Sequence, residues 1–323
     1  MPHAIRVHQF GGPEVLQWEA IDVADPGPGE ARIRQDAAGL NFIDVYHRTG
    51  LYPQPLPFTP GSEGAGVVEA VGDGVTIVQP GDRVAYAGPI GSYADVRLIP
   101  ANRLIKLPEA ISTEQAAAMM LQGMTAHMLV RQVYRVAQGD TILVHAAAGG
   151  VGLILCQWAA ALGATVIGTV STEAKADLAR AHGCHHPIIY TRDDFVAEVE
   201  RITGGAKLPV VYDSVGADTF LRSIDCLRPR GMMVSYGNAS GPVDPISPLL
   251  LAHKGSLFLT RPTLFNYIAT RDELERSAAA LFEMVENGQV RIDIKQRFAL
   301  RDAAEAHRAL ESRLTTGSTI LTI

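Results

Sequence analysis

Hydrophobic and polar positions follow two different rhythms along the chain. From Asp140 onward, short β-branched or apolar runs recur at Thr141–His145, Thr165–Val170, Pro187–Tyr190, Pro209–Asp213, Met232–Tyr236 and Leu257–Thr260, roughly two dozen residues apart with helix-like stretches between most of them. Continuous apolar runs are the mark of strands buried on both faces. This rhythm therefore predicts a parallel sheet covered by helices, an α/β doubly wound fold of Rossmann type. Residues 4–106 alternate instead, at Ala4–Phe10, Ala31–Asp36, Gly66–Val71 and Tyr93–Ile99, and are cut by Pro-Gly-Pro-Gly at 26–29 and Pro-Gly-Asp at 80–82. Alternation between Pro/Gly turns predicts an antiparallel, barrel-like domain.

Between and after these regions lie helical signals. Ser112-Thr113-Glu114-Gln115 reads as a capping box opening an Ala-rich helix. Asp272–Asn287 is amphipathic and stops before Gly288, Arg301–Ser312 is a second short helix, and Ser318–Ile323 is an apolar terminal strand. The expected organisation is a first domain over 1–122, a dinucleotide-binding domain over 123–262, and a return to the first domain over 263–323. At 323 residues the chain exceeds what one core organises, which agrees with two domains. Thr141–Thr172 has no charged residue and scores like a membrane span, but Gly149, Gly150, Gly152, Gly163 and Gly168 cut it into strand, helix and strand, so no membrane association is expected.

Charge and cysteines narrow the partners. A formal charge of −6 without any Lys/Arg block argues against nucleic acid, whose binding needs many neutralised phosphates. Cys156, Cys184 and Cys226 form no C-x-x-C pair and suggest no disulfide framework. Met1–Gly12 carries charge and Gly-Gly early and lacks a signal-peptide apolar core. The expected location is the cytoplasm.

The strongest local signal is Ala147-Ala148-Gly149-Gly150-Val151-Gly152, directly after one predicted strand and before a predicted helix. Gly149, Gly150 and Val151 there offer backbone N–H groups to a dinucleotide pyrophosphate at a helix N-terminus; Ala147 stands where the first glycine of the fingerprint would be. NAD sites usually end the second strand with an acid for the ribose 2′-hydroxyl. Here that strand ends Gly168-Thr169-Val170-Ser171, and Lys175 follows one turn into the next helix, within reach of a 2′-phosphate. NADPH is the expected cofactor. Glu173 is the competing feature, an acid that would serve NAD if it turned inward. Tyr236-Gly237-Asn238 and Arg261-Pro262-Thr263 follow the fifth and sixth strands, where ligands collect in open α/β sheets. His182-Gly-Cys-His-His186 offers four ligand types in five residues, but adjacent side chains rarely converge on one ion, and a solvated helix-to-strand loop is expected instead.

His145-Ala-Ala-Ala-Gly-Gly-Val-Gly152, Asn41-Phe-Ile-Asp44, Pro60-Gly-Ser-Glu-Gly-Ala-Gly66, Gly81-Asp-Arg-Val84 and Tyr212-Asp-Ser-Val-Gly216 together resemble bacterial NADPH:quinone oxidoreductases of the zinc-free medium-chain dehydrogenase/reductase superfamily. Phe10–Leu16 and Glu311–Arg313 extend the resemblance nearly end to end. It implies a GroES-like antiparallel β-barrel catalytic domain split around a Rossmann domain, with the active cleft between them, and a homodimer. It also implies cofactor contacts from Asn41, Asp44, Thr125, Ser171, Tyr190, Ser214, Tyr236, Gly237, Asn238, Thr263 and Arg313, with Tyr46 and Tyr52 framing the substrate. On residue type alone, Asp44 is equally a surface or capping residue and the tyrosines equally packing at a domain seam. His127 and Met128 depart from tyrosines in close relatives.

Zinc-dependent relatives carry a Cys and a Gly-His-Glu segment; this chain has Asn41 and Gly61-Ser62-Glu63 at those places and no cysteine before Cys156, so no metal is expected. Hydride transfer to a quinone gives a hydroquinone anion whose phenol pKa is near ~10, so no strong acid is needed. Reduction of an enone, with Tyr46 or Tyr52 donating a proton, is the nearest alternative. A non-enzymatic NADPH-binding sensor or structural protein is the other.

Overall fold

The computed structural model describes residues 1–323. It divides into two compact units, one made of Met1–Met124, Ile268–Glu286 and Ile292–Ile323, the other of Thr125–Tyr267 with Asn287–Arg291. In chain order the first carries β1 (His3–Arg6), β2 (Gln17–Ala20), β3 (Glu30–Leu40), α1 (Phe42–Thr49), β4 (Glu63–Val71), β5 (Arg83–Ala87), β6 (Val96–Pro100), β7 (Ile105–Lys106), α2 (Thr113–Ala117) and the start of α3 (Met120–His127). The second follows with β8 (Thr141–Val144), α4 (Gly150–Ala161), β9 (Thr165–Val170), α5 (Glu173–Arg180), β10 (His186–Ile189), α6 (Phe195–Thr203), β11 (Leu208–Asp213), α7 (Phe220–Asp225), β12 (Leu227–Ser235), α8 (Pro248–His253), β13 (Phe258–Thr260) and α9 (Leu264–Tyr267). The chain ends in the first unit with α10 (Arg271–Glu286), β14 (Ile294–Ala299), α11 (Ala303–Glu311) and β15 (Ser318–Thr322).

The second unit is a six-stranded sheet in the order β10-β9-β8-β11-β12-β13, parallel throughout. Ile142, Leu143 and Val144 of β8 are fully buried, as a central strand with helices on both faces requires. Helices and strands meet in a core that includes Leu143, Ile167, Phe195, Val211, Ile224 and Met233. Strand order reverses between β8 and β11, so the connections leaving the carboxyl ends of these two paired strands run to opposite faces of the sheet, the place where open α/β sheets form their crevice.

In the first unit the main sheet runs β14-β15-β3-β4-β5-β7, with β6 also paired to β3. Apart from the parallel pair β14–β15, its neighbours are antiparallel. The long strand β3 serves two cores: Ala31 and Ile33 pack with Val68, Tyr86 and Leu104, whereas Ala38 and Leu40 pack with Ile5, Tyr93 and Leu321. Period-two alternation sends the odd and even positions to opposite faces.

Several expectations needed correction. The strand expected over Ala4–Phe10 stops at Arg6, and Val7 makes only an isolated bridge to Phe58. β3 runs beyond Asp36 to Leu40, because β15 pairs with Ala37–Leu40 although Ala37-Ala38-Gly39 has no β-branched residue. The stretch expected to pair from Tyr93 begins at Val96, and Tyr93 is instead a buried hydrogen-bonding residue. Ser112 accepts from the Gln115 N–H at 3.1 Å, the first half of the capping box, but the helix it opens breaks after Ala117. The loop at 182–186 is not solvated throughout. His182 and Cys184 are buried; His182 donates from Nδ1 to the Leu178 carbonyl at 2.8 Å and accepts at Nε2 from Arg291 at 3.0 Å. No helix is long and apolar enough to cross a membrane.

Candidate active site

At the carboxyl end of β8 the chain turns sharply into α4. Ala146 takes a positive φ of 52°, Gly149 caps the helix, and the Ala147 N–H is tied to the Thr169 carbonyl of β9 at 3.0 Å. A Cβ on Gly152 would collide with the Ala146 carbonyl oxygen, so only glycine lets the first turn of α4 lie against this bend. The first N–H groups of α4 have no partner within the helix, and the dipole is positive there. Gly149, Gly150 and Val151 are partly exposed at that end, a fit for a pyrophosphate.

Beneath the turn, His145 is buried and neutral, because burial holds its pKa below the usual imidazole range. Ser223 donates to Asp213 at 2.9 Å, so its oxygen accepts from His145 Nε2 at 2.8 Å and Nδ1 accepts from Thr169 at 2.8 Å. Asp213 also takes the N–H groups of Val215 and Gly216 and the Thr219 hydroxyl, which fixes the turn that carries Ser214. The Tyr236 N–H donates to the Asp213 carbonyl at 2.8 Å and that of Ala239 to the Ser214 carbonyl at 3.1 Å. Ser214, Tyr236, Gly237 and Asn238 are thereby brought together at the ends of β11 and β12. Thr263 is exposed just after β13.

Ser171, Lys175 and Tyr190 gather at the ends of β9 and β10. The Tyr190 N–H reaches the Val170 carbonyl at 3.1 Å, the Ser171 carbonyl accepts from Thr191 at 2.9 Å, and Thr172 caps α5 through the Lys175 N–H at 3.3 Å. Tyr190 is 41% exposed. Glu173 lies between Arg180 and Arg192, at 3.7 and 3.8 Å, so its carboxylate is engaged by cations of its own surface. Thr125 lies partly exposed in this unit. Arg313 belongs to the first unit, after α11, at a positive φ of 58°.

The first unit builds a buried polar cluster where β3 passes into α1. Asn41 is the N-cap, and its backbone N–H donates to Asp44 Oδ2 at 2.9 Å. Asp44 also accepts from Ser62 at 3.2 Å and Tyr93 at 3.1 Å. Of the alternatives for Asp44, capping holds and surface exposure does not, since the residue is wholly buried. Burial pushes its pKa up to about 7 against the pull of these donors. From Tyr93 the cluster continues to His307, Arg48 and Glu311, where Arg48 makes two bonds of 2.9 and 2.7 Å to the carboxylate.

Tyr46 and Tyr52 stand edge to face at 5.2 Å, joined by the Tyr52 N–H to the Tyr46 carbonyl at 3.0 Å. Sequence reasoning missed His47, a buried imidazole beside Tyr52 whose Nδ1 has no partner and whose pKa burial lowers to about 4. It also missed Glu63, Gln122 and Ser318. Glu63 accepts from Asn41 Nδ2 at 2.7 Å and from the Leu121 N–H at 2.8 Å, and burial pushes it up to about 8. Gln122 donates to Asn41 Oδ1 at 3.1 Å and accepts from Ser318 at 2.7 Å. Glu63 was legible only as part of the Pro60–Gly66 motif; its partners Asn41 and Leu121 lie 22 and 58 residues away in sequence. Nowhere in the chain do three or more His, Cys, Asp or Glu side chains converge as metal ligands would.

Comparison with known proteins gives these residues a context. Residues 27–109 match the alcohol dehydrogenase GroES-like domain, and residues 150–283 match the zinc-binding dehydrogenase family. A quinone oxidoreductase of Pseudomonas aeruginosa is 54% identical over 99% of both chains, and a 2-haloacrylate reductase of a Burkholderia species 48% over 99% of both. The crystal structure of Escherichia coli quinone oxidoreductase complexed with NADPH, 49% identical, superposes with a TM-score of 0.98 over 99% of this chain and 100% of that one.

Proposed function

Because the chain belongs to the quinone oxidoreductase family of GroES-like and Rossmann-domain dehydrogenases, we propose that it reduces quinones with NADPH and without a metal ion. The observation that carries the cofactor choice is the acid-free end of β9 with Lys175 one turn into α5, Glu173 lying on the exposed surface near Arg180 and Arg192. When bound, NADPH supplies the hydride. The residues of this chain bind and orient. Gly149, Gly150 and Val151 offer N–H groups to the pyrophosphate; Ser171, Lys175 and Tyr190 suit a 2′-phosphate; and Ser214 and Tyr236–Asn238 line the crevice at the strand ends.

From the first unit Asn41 presents its amide, with Tyr46 and Tyr52 framing the substrate. Asp44 has no exposed surface, so its part is to hold Asn41 and not to touch the cofactor. A reduced quinone leaves as an anion whose phenol has a pKa of about 10 and takes its proton from water. Positioning is then the main task of the protein. Asn41 and Ser62 offer an amide and a hydroxyl where zinc-dependent relatives carry ligands; the amide is bonded to Glu63 and Gln122 and the hydroxyl to Asp44. The reading includes a cytoplasmic homodimer that covers the edge strand β13, where Phe258 is 57% and Leu259 39% exposed. Following NADPH oxidation with a simple benzoquinone tests the activity; no turnover with saturating NADPH would overturn it.

A second reading, reduction of an activated carbon–carbon double bond, is favoured by the likeness to the 2-haloacrylate reductase. Its enolate product is more basic than a hydroquinone anion, and Tyr46 or Tyr52 would then supply the proton. Parallel assays with an enone separate the two.

A further inference from the structure

The side chain of Asn41 is held at both ends. Its Nδ2 donates to Glu63 Oε2 at 2.7 Å, its Oδ1 accepts from Gln122 Nε2 at 3.1 Å, and the Gln122 carbonyl accepts from Ser318 Oγ at 2.7 Å. An amide has one donating and one accepting end, so each link fixes the orientation of the next. The Ser318 hydroxyl donates or accepts equally well and imposes no direction. An ionised carboxylate only accepts, and Glu63 does so twice, from Asn41 and from the Leu121 N–H at 2.8 Å. Its carboxyl group is wholly buried, in space that exists because Gly39 has no side chain; a Cβ there would collide with Glu63 Oε2 and the Ala117 carbonyl.

We propose that Glu63, in its ionised form, is a positioning residue that sets the polarity of the Asn41 amide, and so which atoms of Asn41 remain for cofactor and substrate. Each end of that amide spends one of its two bonding positions inside the chain of residues, leaving one N–H and one lone pair. With a neutral group at position 63 the whole order can reverse: that group donates to Asn41 Oδ1, Asn41 Nδ2 to Gln122 Oε1, and Gln122 Nε2 to Ser318 Oγ. No hydrogen bond is lost, but the ends of the amide are exchanged. This inference rests on the reading of Asn41 as part of the active site.

The titratable groups around Glu63 are Asp44 on α1, Tyr86 on β5 and Tyr93. β3 contributes Gly39, and α2 and α3 contribute main-chain groups of Ala117, Met120 and Leu121. Burial and the Asp44 charge push Glu63 up to about 8, so the ionised order is best tested at about pH 9.

The experiment compares wild type, Glu63→Gln and Asn41→Ala at that pH, reading kcat with NADPH and a tetramethylated benzoquinone together with the thermal midpoint. Glu63→Gln is expected to lower kcat about tenfold, the weight of one hydrogen bond in the transition state, while its midpoint stays within a few degrees of wild type. A midpoint that falls in step with kcat, or a variant that does not fold, would overturn the proposal, because the reversed order leaves no group unpaired. Wild-type kcat in Glu63→Gln with an impaired Asn41→Ala would overturn this inference alone. Wild-type kcat in both would overturn the reading of Asn41 as well.

Discussion

Lys175 sits at the third position of α5, one turn beyond the acid-free end of β9, and the proposed reading gives its ammonium the task of telling the two nicotinamide cofactors apart. Lys175→Ala is expected to weaken NADPH about ten- to a hundredfold while leaving NADH nearly unchanged, as the loss of one charge-assisted hydrogen bond dictates. Fluorescence titration with both cofactors checks this, and equal losses would contradict it. Asp44 and Glu63 make a different prediction. Their native pKa values of about 7 and about 8 lie above those of an unfolded carboxyl, so the folded protein binds more protons, and stability falls as pH rises through that window. His47, His127 and His307, lowered to about 4, about 4 and about 3, and His145, lowered as well, act oppositely, and their effect is complete about one unit above the unfolded imidazole pKa of ~6.5. Between about pH 7.5 and 9 the carboxyls dominate, and stability should drop by on the order of 1 kcal/mol. Thermal melts across that range give the answer; a level or rising midpoint would contradict it. The phosphate-turn residues are legible in sequence because they are contiguous. Asn41 is legible through the family resemblance, but its links to Gln122 and Ser318 are not, because nothing periodic connects positions 81 and 196 residues apart.

At the scale of elements, the seat of α4 depends on Gly152 lying against the Ala146 carbonyl. Gly152→Ala should push the helix off the turn, costing about 1–3 kcal/mol of stability and at least about tenfold in NADPH affinity. A calorimetric melt and a binding isotherm read both, and wild-type values would show that the turn is looser than described. The strands of the parallel sheet are legible as continuous apolar runs, since burial on both faces forces that composition. The second half of β3 is not, because Ala37-Ala38-Gly39 was chosen by close packing, with Glu63 and Ala117 against Gly39, and not by β propensity. The break after α2 is similarly silent in an Ala-rich stretch. For β13, Phe258→Lys places a charge on the exposed apolar edge and is expected to convert a dimer into the 34.6 kDa monomer by light scattering. A wild-type monomer at micromolar concentration would remove the premise.

The whole molecule comprises a Rossmann unit of parallel strands and a GroES-like unit whose polar cluster centres on Asn41 and Asp44. On the proposed metal-free reading, elemental analysis is expected to find no stoichiometric metal, and chelator should leave activity intact; about one zinc per chain, lost together with activity, would refute that. The central claim is hydride transfer from NADPH to a quinone, selected over NADH at the end of β9. The most direct test is kcat/KM for a simple benzoquinone with each cofactor, in chelator, on the purified wild-type chain. Turnover with NADPH exceeding that with NADH by about tenfold or more is the predicted result; a preference for NADH, or no quinone reduction with either cofactor, would contradict the account.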